Sequence, residues 1–174
     1  MEKGYVHLYT GNGKGKTTAA LGMALRAAGY NISSIIIQFM KGQEYGELSS
    51  VKMLNGLITV EQYGSPDFCR LEDENIRDHY LLARKGVERS REVIVSDEYN
   101  IVVLDEIVTA MLFKLVTLDE IISLIKNKAA SIELILTGRG ATDTLISHCD
   151  LVTEMKEIKH YYGNGIPARK GIEY

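Results

Sequence analysis

"VHLYTGNGKGKTTAALGMALRAA", residues 6–28, decides the fold of this chain. The stretch joins an apolar run of strand length, Val6–Thr10, to a glycine-rich turn and then to an alanine-rich segment. That order is typical of a phosphate-binding loop, in which glycines let backbone N–H groups turn toward an anion and the helix start adds unpaired donors. The sequence therefore predicts a polyphosphate where the first strand meets the first helix.

Two side chains in the turn have predicted roles. Lys16 supplies a full positive charge to phosphate oxygens, and the Thr17 hydroxyl is placed to ligate a magnesium ion. The usual pattern has a glycine five positions before Gly15, but Thr10 stands there and the first glycine is Gly11. A loop tightened in this way leads us to expect a different pose of the triphosphate from that in common ATPases.

The rest of the chain alternates between runs of strand length and segments of helical period. The further runs lie at residues 35–39, 57–62, 101–104, 132–137 and 151–154. Several are almost continuously apolar, as in strands that helices cover on both faces of a parallel sheet. We therefore predict a three-layer α/β fold with a mostly parallel sheet of about six strands. No internal repeat or linker interrupts it, so we expect residues 1–174 to form one domain.

Local signals mark several helix ends and one loop. Gly29 is expected to end the first helix, and a capping box of Thr117 and Glu120 to begin another. Residues 72–95 have a charged helical repeat and are predicted to form one long surface helix. The stretch "YGSPDFCR", residues 63–70, is predicted to form a loop at a strand end.

Composition excludes several classes of function. The 174 residues are 45% hydrophobic and carry a formal charge of -3, so a broad basic surface for a nucleic-acid backbone is not expected. The longest apolar run, residues 35–40, is far shorter than the ~20 residues of a membrane span. Cys69 and Cys149 fit no metal spacing and no leader pattern begins the chain, so we expect a cytoplasmic protein.

The second half of the predicted site is the strand in "NIVVLDEIV", residues 100–108, which ends at Asp105 and Glu106. Ligands of parallel sheets lie at the carboxyl ends of the strands, so Asp105 is the first choice to hold magnesium. Glu106 has three interpretations that stay open: a second magnesium partner, a base that polarises water, or the N-terminal acid of the next helix.

Other polar residues also follow strands or lie on the first helix. Gln38, residues 137–139 and Arg26 are each either nucleotide contacts or packing and surface residues. The four histidines show no ligand spacing, so no zinc site is predicted.

Several segments together resemble one family, the P-loop corrinoid adenosyltransferases. The matching segments are "TGNGKGKTTAALG" at 10–22, "IIQFMKG" at 36–42, "VVLDEI" at 102–107, "LILTGRG" at 134–140, "DLVTEMKEIKH" at 150–160 and "GIPARKGIEY" at 165–174. The resemblance implies a RecA-like fold of the P-loop NTPase type. It also implies transfer of the 5′-deoxyadenosyl group of ATP to the cobalt of a Co(I) corrinoid, with release of triphosphate. The nucleotide would lie reversed in the loop, so that its ribose C5′ faces the corrinoid.

The resemblance also implies the site. By position, the ATP contacts are Asn12, Gly13, Lys14, Gly15, Lys16, Thr17, Thr18 and, for the ribose or base, Arg26. Magnesium would be held by Thr17 with the Asp105–Glu106 pair, and Lys16, Thr17 and Glu106 are the expected catalytic residues. Phe68 matches an aromatic residue that helps to displace the lower cobalt ligand, whereas the tryptophan usually found two residues later is Arg70 here.

The implied cofactor is Mg²⁺, and the implied partners are ATP, cob(I)alamin or another corrinoid, an electron donor such as a reduced flavoprotein, and a second copy of the chain. Two other hypotheses rank below the adenosyltransferase. A small P-loop kinase or NTPase would act on the terminal phosphate, but a kinase usually has an arginine-rich lid and no loop here is dense in arginine. A non-catalytic, nucleotide-dependent partner protein would need an exposed apolar face.

Overall fold

The structure is a computed structural model that describes residues 2–67 and 76–174. Its six strands are β1 Val6–Thr10, β2 Ser34–Phe39, β3 Ile58–Tyr63, β4 Ile101–Asp105, β5 Glu133–Thr137 and β6 Leu151–Glu154. They form one sheet in the order β3-β2-β4-β5-β1-β6, and every strand pair is parallel. The predicted strands are thus confirmed, each within one residue at either end.

Helices connect the strands. They are α1 Lys16–Ala28, α2 Gly46–Ser50, α3 Ile76–Val93, α4 Ile107–Leu112, α5 Leu118–Asn127 and α6 Asp143–Ile146, with short 3₁₀ turns at Val51–Leu54 and Tyr161–Asn164. Gly29 follows α1 as predicted, and both hydrogen bonds of the predicted capping box are present at the start of α5. The long predicted helix corresponds to α3, and the part of that prediction on residues 72–75 lies outside the described residues.

Alternate side chains of the central strands pack into two separate cores. On one face, Val103 of β4 lies with Ala20 and Ala24 of α1. On the other face, Val102 and Leu104 of β4 lie with residues of α3, α4 and α5. Because helices cover both faces, the strands are apolar on both sides, and the predicted three-layer α/β fold is confirmed.

The sheet brings the ends of β1, β2, β4 and β5 together at one edge. In the register of the β2–β4 pair, Gln38 lies opposite Asp105. In that of the β1–β5 pair, Tyr9 lies opposite Thr137. All the loops that follow these strands therefore open on the same side, where parallel sheets bind ligands. No helix in the described ranges combines the length and apolar character needed to cross a bilayer.

Candidate nucleotide site

The glycine-rich loop turns from β1 into α1 as the sequence predicts. Gly15 precedes the helix with φ +118°, a left-handed conformation that glycine adopts without steric cost. The N–H of Gly13 donates to the carbonyl of Met155, directly after β6, at 2.6 Å. One side of the loop is thus fixed to the sheet edge, and its other side borders an open cavity.

Lys16 begins α1 and is buried. Its Nζ donates to the carbonyl oxygens of Gly11 at 2.7 Å and Gly13 at 2.8 Å. Burial lowers the pKa of Lys16 below its ordinary value, while the negative charge of Glu106 opposes that shift. The ammonium is therefore held inside the loop by neutral acceptors, which charged phosphate oxygens would outcompete.

Asp105 is fully buried at the end of β4. Its Oδ1 accepts from the hydroxyls of Thr17 at 2.9 Å and Thr137 at 2.7 Å. Its Oδ2 accepts from Lys41 Nζ at 2.8 Å and Gln38 Nε2 at 3.4 Å. The carboxylate thus joins the ends of β2, β4 and β5 to the first turn of α1.

Lys41 is a site residue that the sequence analysis did not single out. Only 15% of its side chain is exposed, and its Nζ also donates to Thr17 Oγ1 at 3.3 Å. Burial by itself lowers the pKa of Lys41, but the charge and hydrogen bond of Asp105 outweigh it and leave the pKa raised. The available signal was its place two residues after β2, at the strand end that carries Gln38.

Glu106 precedes α4 with φ +61°, an uncommon conformation for a residue other than glycine. Its N–H donates to Thr137 Oγ1 at 2.8 Å, and its carboxylate accepts from the hydroxyl of Thr109. Glu106 also lines the cavity beside Lys16. Glu106 can therefore lie at the start of α4 and also face a ligand in the cavity.

The cavity has a volume of about 1000 Å³. Its polar side contains the predicted loop residues with Lys41, Glu106 and Arg139, and its apolar side contains Leu21, Leu25, Val51, Met53 and Leu54. Arg26 is exposed on α1 and is not among the residues that line it. Phe68 lies outside the described residues. The structure thus brings together the predicted loop, Asp105 and Glu106, but not Arg26.

The last residues of the chain border the same cavity. Glu173 forms an ion pair with Lys14 of the loop, with Nζ and Oε1 2.5 Å apart, and accepts from Tyr161 and Arg169. Lys14 Nζ also donates to the carbonyl of Ile172 at 3.0 Å. The chain end is therefore attached to the glycine-rich loop, which the sequence analysis did not predict.

The donor set suits a magnesium ion. The oxygens of Thr17 and Asp105 converge at 2.9 Å, and Mg²⁺ prefers oxygen ligands and completes its shell with phosphates and water. In the described parts of the chain, no group of three or more His, Cys, Asp or Glu side chains forms an all-protein metal cage. A site that shares its ion with a polyphosphate is the arrangement that these residues fit.

Comparison with known proteins gives concordant matches. The family model described as "ATP:corrinoid adenosyltransferase BtuR/CobO/CobP" matches residues 2–174. The chain is 34% identical over 175 residues to a corrinoid adenosyltransferase of Sinorhizobium sp, covering 99% of this chain and 81% of the relative. It is 31% identical to a corrinoid adenosyltransferase of Pseudomonas aeruginosa, with 99% and 85% covered. It is 30% identical to the corrinoid adenosyltransferase CobA of Salmonella typhimurium, with 99% and 87% covered.

Proposed function

The chain belongs to the ATP:corrinoid adenosyltransferase family, and on that premise we propose that it adenosylates a corrinoid in the cavity beside the glycine-rich loop. It is an enzyme that transfers the 5′-deoxyadenosyl group of ATP to a corrinoid. The observation that carries the assignment to this cavity is the convergence of the loop, Lys16 and the Thr17–Asp105 pair at one edge of the sheet.

The reaction needs little acid or base catalysis from the protein. A Co(I) centre is already a strong nucleophile: its electron pair forms the cobalt–carbon bond while the bond from C5′ to oxygen breaks and triphosphate leaves with that bond's electrons. The protein must hold C5′ in line with the cobalt and stabilise charge on the leaving group. We assign the second task to the loop amides and to Lys16, whose donors would turn from the Gly11 and Gly13 carbonyls to phosphate oxygens.

Magnesium would supply additional positive charge to the triphosphate when bound. We propose Thr17 and Asp105 as its protein ligands because their oxygens already converge, with Glu106 as a further partner on the cavity wall. The cavity volume, about 1000 Å³, is at the upper end for small-molecule sites, which suits a nucleotide that shares the space with part of a second substrate. A reversed nucleotide, with C5′ toward the open side, is part of this proposal.

Product identity tests the proposed reaction. The protein is incubated with ATP, Mg²⁺ and a corrinoid under strong reduction, and phosphorus-containing products are separated while the corrinoid spectrum is followed. We expect triphosphate and a light-sensitive cobalt–carbon product in equal amounts, and neither when the reductant is omitted. ADP or phosphate without cobalt–carbon product would instead indicate the kinase or NTPase alternative, which the family does not favour.

Three further features belong to the proposal. An electron donor such as a reduced flavoprotein is needed because the reaction begins from reduced cobalt, and the same requirement favours the reducing cytoplasm.

A homodimer is supported by β6, an edge strand in which Leu151 and Val152 are exposed. Sedimentation should then give a mass near twice 19.4 kDa, and a monomer at micromolar concentration would contradict it.

A further inference from the structure

The ammonium of Lys41 lies where the proposed metal site should be. Its Nζ is 2.8 Å from Asp105 Oδ2 and 3.3 Å from Thr17 Oγ1, so it bridges the two side chains proposed as metal ligands. The Asp105 carboxylate is completely buried, and Lys41 forms an ion pair with it. A lysine in this position performs the electrostatic task of a metal ion.

The backbone at Lys41 is held in place by its neighbours. Met40, directly before it, has φ +59°, an uncommon conformation that turns the chain at the end of β2. The turn after β3 packs against it so closely that a Cβ on Gly64 would lie 2.2 Å from the Lys41 backbone nitrogen. Contact between the two loops therefore fixes the backbone of Lys41. The side chain extends from that backbone to Asp105.

The same residue also borders the cavity of the glycine-rich loop. A metal ion that bound both Thr17 and Asp105 would meet a positive charge already between them, and like charges at such short distance repel strongly. The side chain has another direction available, because the cavity beside it is where the triphosphate is proposed to bind. Its Nζ also lies 5.2 Å from the ring centre of Tyr45, at the cavity wall.

We propose that Lys41 serves as the internal cation of the metal site and that its ammonium moves to the triphosphate when metal and nucleotide enter together. This inference rests on the proposed function, specifically on Thr17 and Asp105 as metal ligands. In the nucleotide-free enzyme, Lys41 neutralises Asp105 and opposes the binding of a metal ion alone. A triphosphate gives the ammonium a new anionic partner, so metal and triphosphate each strengthen the binding of the other.

The test measures metal binding without catalysis. Mn²⁺, an oxygen-preferring substitute for Mg²⁺, is added to wild type and Lys41→Met by equilibrium dialysis, with and without inorganic triphosphate. Free Mn²⁺ and its complex with triphosphate reach the same concentration on both sides of the membrane, so the excess on the protein side measures the Mn²⁺ that the protein binds. Methionine keeps the length of the side chain and removes the charge. In the absence of triphosphate, we expect the variant to bind Mn²⁺ at least about tenfold more tightly than wild type, because the competing cation is gone. Triphosphate should raise the affinity for Mn²⁺ in both proteins, and the factor by which it does so should be at least about tenfold smaller in the variant than in wild type.

The matched control is Lys126→Met, which removes an exposed lysine on α5, a helix on the opposite face of the sheet from α1. It should bind Mn²⁺ like wild type under both conditions. Equal nucleotide-free affinity for Mn²⁺ in wild type and Lys41→Met would overturn the inference and leave the proposed function standing. If wild type binds no Mn²⁺ even with triphosphate, the proposed metal site itself fails.

A measurement on wild type covers the case in which Lys41→Met does not fold. The protein is labelled with ¹⁵N at lysine Nζ, and the Lys41 resonance is assigned with Lys41→Arg, which keeps the positive charge. We expect this resonance to shift when Mg²⁺ and triphosphate are added together and to stay in place with Mg²⁺ alone. A resonance that does not respond to the combination would overturn the proposal.

Discussion

Lys16 is a single residue whose surroundings suit its proposed role of binding an anion. Its ammonium is buried, its pKa is lowered, and its two acceptors are carbonyl oxygens of the loop that it is expected to serve. A phosphate oxygen carries more negative charge than a carbonyl oxygen and makes a stronger bond to an ammonium. The lysine can therefore exchange partners without leaving the loop.

We predict that Lys16→Ala lowers the rate of adenosylation by at least about 10²–10³-fold, the usual cost of removing a preorganised donor to developing charge. The rate is measured from the formation of the cobalt–carbon product at saturating ATP. Lys126→Ala, which removes an exposed lysine on α5, should keep the wild-type rate. Full activity in Lys16→Ala would remove this lysine from the mechanism.

At the scale of an element, α5 has a fully formed N-terminus. The N–H of Glu120 donates to Thr117 Oγ1 at 3.2 Å, and Glu120 Oε2 accepts from the N–H of Thr117 at 2.9 Å. Glu120 also pairs with Arg84 of α3. The capping box thus connects the start of α5 to the neighbouring helix, although α5 itself lies away from the cavity residues.

We predict that Thr117→Ala lowers the free energy of unfolding by about 1 kcal/mol, because one N-terminal donor of α5 loses its partner. For a chain of this size the loss corresponds to a fall in Tm of about 2–4 °C. Thermal unfolding followed by circular dichroism measures it. Thr117→Ser keeps the hydroxyl, so its Tm should fall by less than half as much as that of Thr117→Ala. An equal fall in Tm in both variants would assign the effect to the lost methyl group instead.

At the scale of the whole molecule, residues from the last part of the chain contact the glycine-rich loop beside the cavity. Glu173 holds Lys14 of the loop, and Tyr161 and Arg169 hold Glu173. These contacts, with the hydrogen bond to Lys14 as the largest cause, depress the pKa of Glu173 well below its ordinary value of 4.5. The negative charge of Glu173 therefore attaches the chain end to the glycine-rich loop.

We predict that Glu173→Gln detaches residues 169–174 from the loop. Because the folded pKa of Glu173 is depressed, its contribution is complete above about pH 4.5 and is lost as the pH falls toward the folded pKa. Hydrogen exchange of the Gly171 and Ile172 amides, corrected for intrinsic rates, should show lower protection in the variant at pH 7 and in wild type below pH 4. The exposed Glu157→Gln is the control and should exchange like wild type. Unchanged protection in Glu173→Gln would mean that other contacts hold the chain end.

The order of segments was enough to predict the strands, the layers and the loop. Buried parallel strands appear in the sequence as continuous apolar runs, and a phosphate-binding loop has its glycines and Lys16 in one short segment. Both features can therefore be recognised from neighbouring residues. Asp105 was predictable because it directly follows such a run. That residues 1–174 form one domain, and that Arg26 contacts the nucleotide, stay predictions, and Phe68 lies outside the described residues.

By itself, then, the sequence determined the fold class, the place of the glycine-rich loop and the family, because each depends on residues that are neighbours in the chain. Only the tertiary structure decided that Lys41 neutralises Asp105, 64 positions away, and that Glu173 holds Lys14, 159 positions away. The first contact exists because β2 pairs with β4 in a register that sets Gln38 opposite Asp105. Local periodicity specifies a strand but not its neighbour in the sheet, so the partners of these charges are fixed by strand order and register.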